Sequence, residues 1–389
     1  MGKVQAMSGH DGEYYIGLMS GTSLDGVDAV LASFTEGFKI VNRLQVDMPA
    51  GLRTKLLQLQ QTGYDEIDLA MVASNQLAEL YATAVNNLLS QVPPVSSSQV
   101  AAIGCHGQTI RHQPLATSPY SVQINNPARL AELTGIAVAA DFRSRDIAAG
   151  GQGAPLTAAF HAHLFRHSHK QRYILNLGGM TNLSILPPGN GSASVLGFDC
   201  GPGVVLLDAW SDRHLQKAYD ENGQWADSGQ CDDRLLHDLM AHPFLAQQPP
   251  KSCGRQDFNL DWLEDNIAQQ ESAARLIKRP QDVQATLVAF SAESVARAIH
   301  NFASEDNSAG AKLYACGGGA KNIALLQALE TALPDIEVAT TGDLGLPVDA
   351  VEAAAFAWLA YRLLQGEASN LPLVTGARGE RVLGALYPA

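Results

Sequence analysis

A segment near the amino terminus combines glycines, hydroxyls and acids in an order that suits phosphate binding. It follows an apolar run at residues 14–19 and reads Gly21, Thr22, Ser23, Leu24, Asp25, Gly26, Val27 and Asp28. Glycine lets the backbone approach a phosphate closely, and consecutive N–H groups form an anion-binding concavity. Asp25 is placed to bind Mg²⁺ through water, because Mg²⁺ prefers carboxylates and keeps part of its hydration shell. A plain hairpin turn would also explain these residues, and the segment is not a P-loop, since no Gly-Lys-Ser/Thr follows.

Two further glycine clusters could contact the same phosphates. They are Gly178 and Gly179, and the run Gly317, Gly318 and Gly319 with Asn322 shortly after it. Each has a structural alternative: a hairpin turn for the first cluster, and close packing of a helix on a sheet for the second. The lack of G-x-G-x-x-G spacing argues against a dinucleotide-binding fold. Together with the first segment, the clusters predict a site for a nucleotide's phosphate chain.

Asp199 is the candidate general base. It ends a predicted strand and is followed by a glycine-proline turn at residues 201–203. A carboxylate in this place could take a proton from an attacking nucleophile. The alternative is that it caps the helix that follows.

Four side chains are candidates for contact with a substrate. Arg143 and Arg145 are two residues apart, so on an extended chain they would point the same way and could clamp a carboxylate. Ion pairs with neighbouring acids are the alternative. His106 and Gln108 follow a predicted strand and could bond to a sugar. The histidine-rich stretch 161–169 predicts a helix rather than a metal site, because its histidines face different sides and no carboxylate or thiol adjoins them.

Strand and helix patterns alternate along the chain, which is typical of an α/β fold. Segment 172–186 repeats the strand–turn–strand pattern of the amino terminus, with Tyr15 and Tyr173 heading the two copies, and this suggests duplicated domains. A chain of 389 residues also exceeds the size of a single core. We expect a first domain of residues 1–140 plus 365–389 and a second of residues 141–364, with the tail packing back on the first.

Composition narrows the classes of partner. The formal net charge is −13, and no Lys/Arg-rich block offsets it, so we expect neither nucleic acid nor an anionic membrane as partner. The five cysteines are scattered without a C-x-x-C pair, which favours buried thiols in a reducing compartment. The amino terminus is polar, and nowhere do about 18 uncharged apolar residues run together. These features predict a soluble cytoplasmic protein.

Eight segments, in order along nearly the whole chain, resemble the anhydro-N-acetylmuramic acid kinase family. The segments are 19–28, 104–109, 141–156, 176–184, 197–203, 251–255, 315–322 and 352–360. The combination of MSGTSLDGVD at 19–28 with GGQGAPL at 150–156 is the specific part of this resemblance.

The resemblance implies two actin/hexokinase-like (ribonuclease H-like) domains with an ATP cleft between them. It further implies that residues 21–28 form the ATP-phosphate loop, that Asp199 is the catalytic carboxylate, and that Arg143 or Arg145 lies near the sugar with Glu352. The implied enzyme uses ATP and Mg²⁺ to open 1,6-anhydro-N-acetylmuramic acid with water and to phosphorylate O6, in peptidoglycan recycling. A homodimer is implied as well.

The chain departs from the family pattern at a few positions. We would expect Thr at Cys200, Asn at Val204, Gly-Asp at Asn125–Asn126 and an acid at Gln256. Three rival functions stay open: a kinase of another sugar or of a carboxylate on the same fold, an actin-like or chaperone-like ATP switch without catalysis, and a sugar-sensing regulator. The last is disfavoured, because no helix-turn-helix motif or basic patch is present.

Overall fold

A computed structural model describes residues 13–21, 23–91, 93–189, 195–302 and 310–389 of the chain. The strands are β1 (Tyr14–Met19), β2 (Gly26–Ser33), β3 (Lys39–Asp47), β4 (Val100–Cys105), β5 (Gln108–Gln113), β6 (Tyr120–Ile124), β7 (Val138–Ala140), β8 (Arg172–Leu177), β9 (Met180–Leu186), β10 (Leu196–Pro202), β11 (Lys312–Cys316), β12 (Glu337–Thr340) and β13 (Ala385–Tyr387). The helices are α1 (Ala50–Leu59), α2 (Glu66–Ser90), α3 (Pro127–Thr134), α4 (Ser144–Ala148), α5 (Thr157–Phe165), α6 (Val205–Leu215), α7 (Gln224–Asp227), α8 (Asp233–Met240), α9 (Leu260–Ala268), α10 (Ala273–Lys278), α11 (Pro280–Phe302), α12 (Ile323–Ala332), α13 (Val351–Leu364) and α14 (Pro372–Thr375).

The chain divides into two compact units. The first contains residues 1–160 and 350–389, and the second contains residues 161–349. These bounds differ from the predicted ones, which ended the first domain at residue 140 and resumed it at residue 365. The difference is the segment 141–160 and the helix α13, both of which belong to the first unit.

The first unit is built on a six-stranded sheet with the order β13-β7-β4-β1-β2-β3. Strands β1, β2 and β3 form an antiparallel meander, whereas β4 is parallel to β1 and β7 is parallel to β4. The tail strand β13 pairs antiparallel with β7, so the tail returns to the sheet of the first unit. Strands β5 and β6 form a separate hairpin.

A pair of glycines brings α13 against this sheet. Gly17 on β1 and Gly104 on β4 are register partners. A Cβ atom on Gly17 would collide with the carbonyl oxygen of Ala353, and one on Gly104 with that of Phe356. Only glycine allows so close an approach of helix and strand. Residues Ile16 and Leu18 point to the other face and join a cluster with the buried residues of α1 and α2.

The second unit repeats the strand order of the first. Its five-stranded sheet runs β10-β9-β8-β11-β12, with β8, β9 and β10 antiparallel and β11 and β12 parallel to β8. Its largest helix, α11, packs Phe290 and Val295 into the same buried cluster as Leu313 of β11. The shared order confirms the duplication suggested by Tyr15 and Tyr173, and with it the ribonuclease H-like fold class.

Glycines in the left-handed region follow the ends of two helices. Gly135 (φ 64°) follows α3, and Gly366 (φ 67°) lies two residues after the end of α13. No helix within the described ranges is long and apolar enough to cross a membrane.

Candidate active site

The turn between β1 and β2 carries the first glycine segment. Leu24 donates its backbone N–H to the carbonyl oxygen of Gly21 at 3.3 Å and has a φ of 56°. The Ser23 hydroxyl donates to Asp25 Oδ1 at 2.7 Å, and both of these side chains are exposed. Thr22, which we predicted to bind ATP, lies outside the described residues. Among the described residues of this turn, Ser23 exposes its hydroxyl and Asp25 its carboxylate to solvent.

The remainder of this segment already belongs to the sheet. Gly26 and Val27 are the first residues of β2, and Asp28 is half-buried on the same strand. Leu24 and Val27 are fully buried in the core of the first unit. Their side chains cannot contact a nucleotide, so any part that Leu24, Gly26 and Val27 play in ATP binding comes from the backbone.

The two glycine clusters of the second unit lie side by side. Gly178 and Gly179 form the two-residue turn between β8 and β9. Gly317 has a φ of 81°, and a Cβ there would collide with Asn176 Oδ1, at the end of β8. A Cβ on Gly319 would come within 2.8 Å of the Leu177 carbonyl oxygen, whereas one on Gly318 would meet no atom within 4 Å. The structure thus brings together five glycines that the sequence placed in separate clusters.

Hydrogen bonds fix the β8–β9 turn to the start of α6. Gly178 accepts from the backbone N–H of Val204 at 3.0 Å, and Gly179 accepts from those of Gly203 and Val205 at 2.8 and 3.1 Å. No side chain caps α6. The alternative role for Asp199, capping the following helix, is therefore not what the structure shows.

Asp199 lies on β10 and is partly exposed. Asn182 Nδ2 donates to its Oδ1 at 3.0 Å, and the backbone N–H of Cys253 donates to its Oδ2 at 3.0 Å. Its own N–H donates to the carbonyl oxygen of Lys251 at 3.2 Å, so the segment at 251–253 runs along β10. Donors on both oxygens favour the ionised carboxylate. A fixed, ionised carboxylate is suited to accept a proton.

The Asn322 side chain caps helix α12. Its Oδ1 accepts from the backbone N–H of Leu325 at 3.1 Å and caps α12. The predicted contact with ATP would have to use another atom of this residue.

Arg143 and His106 form the core of the candidate sugar site in the first unit. Arg143 Nη2 donates to His106 Nε2 at 2.9 Å, and its Nη1 donates to the carbonyl oxygen of Gly153 at 2.6 Å. A guanidinium only donates, so His106 Nε2 must carry a lone pair. Burial, with the positive charge of Arg143, lowers the pKa of His106 from 6.5 to about 3. The imidazole is neutral near pH 7.

Glu352 lies on the face of α13 that is turned toward His106. The His106 ring contacts the ring of Phe356, with centroids 4.7 Å apart. Glu352 precedes Phe356 by four residues, which puts both on one helix face. Its half-buried side chain is therefore on the side of α13 that faces His106.

Two predicted sugar contacts are placed differently from what we expected. Arg145 was expected to point with Arg143 on an extended chain, but Arg143 directly precedes α4 and both have helical backbone, so their side chains diverge. Arg145 is exposed. Gln108 is fully buried, and its Oε1 accepts from the Ser20 hydroxyl at 2.6 Å. It supports the residue before Gly21, and its side chain has no exposed surface.

Comparison with known proteins shows which family the chain belongs to. A model of the anhydro-N-acetylmuramic acid kinase family matches residues 13–389. The chain belongs to this family. A relative from Thiobacillus denitrificans described by the same name is 49% identical over 388 residues, covering 99% of this chain and 100% of the relative. Another, from Variovorax paradoxus, is 51% identical over 383 residues, covering 97% of this chain and 100% of the relative.

Solved structures give more distant likenesses. The activator of 2-hydroxyisocaproyl-CoA dehydratase from Clostridium difficile with bound ADPNP has a TM-score of 0.47 and 12% identity, covering 90% of this chain and 96% of that chain. A ROK family glucokinase from Streptomyces griseus in complex with glucose and AMPPNP has a TM-score of 0.41 and 14% identity, covering 90% and 99%. Scores this low assign neither substrate nor mechanism.

Three residues at which we expected a different side chain have identifiable places in the structure. Asn126 accepts from the backbone N–H of Arg129 at 3.0 Å and caps α3, a role in which asparagine and aspartate are equivalent. Cys200 is buried next to Asp199, and burial raises the pKa of its thiol, which is therefore neutral. Val204 lies at the start of α6, close to Gly319. None of these departures removes Asp199 or a glycine of the candidate site.

The first glycine turn offers few ligands, so it suits a magnesium ion that also binds phosphate oxygens and water. Asp25 offers one exposed carboxylate, with Ser23 bonded to it. Among the described residues, no three His, Cys, Asp or Glu side chains lie together as a metal site. Mg²⁺ in kinases typically binds one or two carboxylates plus substrate phosphates and water. The donor set at Asp25 suits that arrangement.

Sequence reasoning missed two residues that hold the candidate site in place. Asn182 bonds to Asp199, although only the glycines of its hairpin were singled out. Asp146, one of the acids next to Arg143 and Arg145, is fully buried and accepts from Gly153 N–H at 2.8 Å and from Asn370 and Thr375 of the tail. Strand pairing brings Asn182 to Asp199, and the tail completes the bonds of Asp146, so no local pattern could reveal either role.

Proposed function

We propose that the protein uses ATP to convert 1,6-anhydro-N-acetylmuramic acid and water into N-acetylmuramic acid 6-phosphate and ADP, a reaction of peptidoglycan recycling. The observation that carries this proposal is the family match over residues 13–389, which includes every residue of the candidate site. The position of Asp199 supports the chemistry, because its carboxylate accepts a hydrogen bond on each oxygen and is partly exposed.

In the proposed reaction, Asp199 accepts one proton of a water molecule while the water oxygen attacks the anomeric carbon. The bond between that carbon and O6 breaks, which opens the anhydro bridge. O6 then attacks the γ-phosphorus of ATP, the bond to the β,γ-bridging oxygen breaks, and ADP leaves. Asp199 afterwards releases its proton to solvent. General-base assistance of this kind contributes about 10²–10⁴-fold to a rate.

Phosphoryl transfer needs positioning and charge neutralisation more than covalent chemistry. We propose that N–H groups of the glycine segments at 21–28, 178–179 and 317–319 bind the phosphates. Mg²⁺ held near Asp25 would neutralise charge on the phosphate oxygens when bound. Arg143 brings positive charge to the sugar side, and the neutral His106 and Glu352 offer polar atoms for sugar hydroxyls or the amide.

Mass spectrometry with isotopic water tests the proposal. The protein is incubated with Mg-ATP and the anhydro sugar in H₂¹⁸O, and the product is weighed. We expect a gain of one phosphoryl group and one water, with the label on the anomeric carbon. A product with phosphate but no water would indicate a kinase of a free hydroxyl, and ADP release independent of sugar would indicate an ATP switch.

We also propose a cytoplasmic location, which the five scattered cysteines favour, and a homodimer, which the resemblance in sequence implies. Light scattering after gel filtration measures the mass directly. A monomer at working concentrations would contradict the dimer and leave the proposed reaction intact.

A further inference from the structure

Three polar side chains lie in register on neighbouring strands of the second sheet. Asn176 on β8 is opposite Asn182 on β9, and Asn182 is opposite Asp199 on β10. Residues directly opposite each other on antiparallel strands project to the same face, with Cβ atoms about 4.5–5.5 Å apart. The Asn182 amide therefore lies between Asn176 and the candidate base.

The orientation of the Asn182 amide follows from the charge of Asp199. Its Nδ2 donates to Asp199 Oδ1 at 3.0 Å. The reversed amide would place its oxygen against the carboxylate, with a repulsive contact in place of a bond. Its Oδ1 is buried without a hydrogen-bond partner among the residues that the structure describes. The amide is thus oriented for Asp199 even though its oxygen gains no bond.

Each carboxylate oxygen of Asp199 receives a different kind of donor. Oδ2 accepts a backbone N–H, that of Cys253, which substitution at position 253 does not remove. Oδ1 accepts a side-chain N–H, that of Asn182. Asn182 is accordingly a donor that mutation can remove.

We propose that Asn182 is a positioning residue for the base, and that its amide nitrogen keeps the Asp199 carboxylate ionised and fixed in direction. The inference depends on the proposed function, in which Asp199 deprotonates water. It assigns to Asn182 no contact with substrate.

Among the described residues, Cys200, Lys251 and Cys253 lie near Asp199, and Asp257 lies near Cys253. Cys200 follows it on β10, and Lys251, Cys253 and Asp257 belong to the adjoining segment. Burial raises the pKa values of both thiols, which therefore carry no charge near pH 7. Lys251 is buried, its Nζ donates to the Phe244 carbonyl oxygen at 3.4 Å, and burial lowers its pKa. Asp257 accepts from Gly254 N–H at 2.8 Å. Substitution of Asn182 leaves all four in place.

The test compares Asn182→Ala and Asn182→Asp with Ser184→Ala. Ser184 lies on the same strand and face and is fully buried, with its hydroxyl 2.9 Å from His161 Nδ1. Sugar-dependent ADP release is measured against pH for each protein, together with KM for ATP, KM for the sugar and Tm. Ser184→Ala controls for loss of a buried hydrogen bond from β9 that does not involve the base.

For Asn182→Ala we expect kcat to fall about 10- to 100-fold and its acidic limb to move up by about one pH unit, because the ionised base loses a donor. Both KM values should stay within about twofold, since uniform binding is untouched. In Asn182→Asp, two adjacent carboxylates share a proton. That proton supplies a donor at low pH and is lost at higher pH, so kcat should decline where the wild type is constant. Ser184→Ala should lower Tm and keep the wild-type profile.

The possible results separate the inference from the proposed function. An active wild type together with an unshifted acidic limb in Asn182→Ala would overturn the positioning role and leave the proposed function standing. A wild type without sugar-dependent ADP release would remove both. If Asn182→Ala does not fold, the isosteric Asn182→Asp provides the test. A kcat that stays constant at alkaline pH in Asn182→Asp, as in the wild type, would contradict the inference.

Discussion

Replacing Asp146 by asparagine tests how the first unit holds its glycine-rich loop. The buried carboxylate accepts from Gly153 N–H at 2.8 Å, from Asn370 Nδ2 at 2.7 Å and from the Thr375 hydroxyl at 2.8 Å. Gly153 in turn accepts from Arg143 through its carbonyl oxygen. Asp146 therefore connects the tail of the chain with the arginine of the candidate sugar site.

The size of the effect follows from these three bonds. An asparagine can keep one oxygen toward Asn370 and Thr375, but its NH₂ group then meets the Gly153 N–H, donor against donor. A hydrogen bond to a charged group contributes about 1.5–3 kcal/mol, and an unpaired buried donor costs a similar amount. We therefore expect Asp146→Asn to lower the free energy of unfolding of the first unit by about 2–3 kcal/mol. For a unit of this size that lowers Tm by about 4–12 °C.

Thermal unfolding followed by circular dichroism measures the loss of stability, and initial rates give both KM values. The KM for the sugar should rise, because the loop that orients Arg143 is loosened, while the KM for ATP should stay constant. Asp141→Asn is the matched control, since Asp141 is exposed and has a left-handed φ of 57° that asparagine also tolerates. An Asp146→Asn protein with the Tm of the wild type would refute the reasoning.

Three further predictions concern the first unit. Gly104→Ala should lower the free energy of unfolding by about 1–3 kcal/mol in urea titration, because its Cβ would collide with the Phe356 carbonyl oxygen; Gly51→Ala, with open space around its Cβ, should not. His106 is neutral when folded, with a pKa of about 3, and protonates near 6.5 when unfolded. Its contribution to stability is thus complete above pH 6.5 and is lost as pH falls toward 3. The free energy of unfolding of the wild type should fall between about pH 7 and about pH 5. In His106→Gln this fall should be smaller by about 2 kcal/mol, and an equal fall in both proteins would contradict the neutral state of His106. Asp25→Asn should raise the KM for Mg-ATP roughly fivefold, a change of about 1 kcal/mol, with an unchanged Tm because Asp25 is exposed; an unaltered KM would remove Asp25 from the site.

Some elements can be predicted from the sequence because their signals are local. Helix α3 begins with Pro127 behind the capping Asn126 and ends before Gly135, and these residues are start and stop signals in themselves. The β8–β9 hairpin likewise follows from two apolar runs around Gly178 and Gly179. The repeat of this pattern was enough to predict duplicated α/β domains.

Domain bounds and side-chain directions depended on tertiary contacts that no local signal carries. Helix α13 belongs to the first unit because Gly17 and Gly104 admit it, and these glycines lie far from it in sequence. The extended backbone expected at Arg143 and Arg145 failed because a short helix, α4, follows a left-handed residue at Asp141. Gln108 looked available for a sugar until its pairing with Ser20 placed it in the interior.

The central claim is that Asp199 acts as the base, and the single-turnover rate of Asp199→Asn tests it most directly. Excess enzyme with Mg-ATP and the anhydro sugar is mixed and quenched, and labelled ADP is counted, with ATP affinity measured separately by calorimetry. We predict unchanged ATP affinity and a rate reduced about 10²–10⁴-fold, the usual contribution of a general base. An Asp199→Asn protein that turns over at the rate of the wild type would contradict the account.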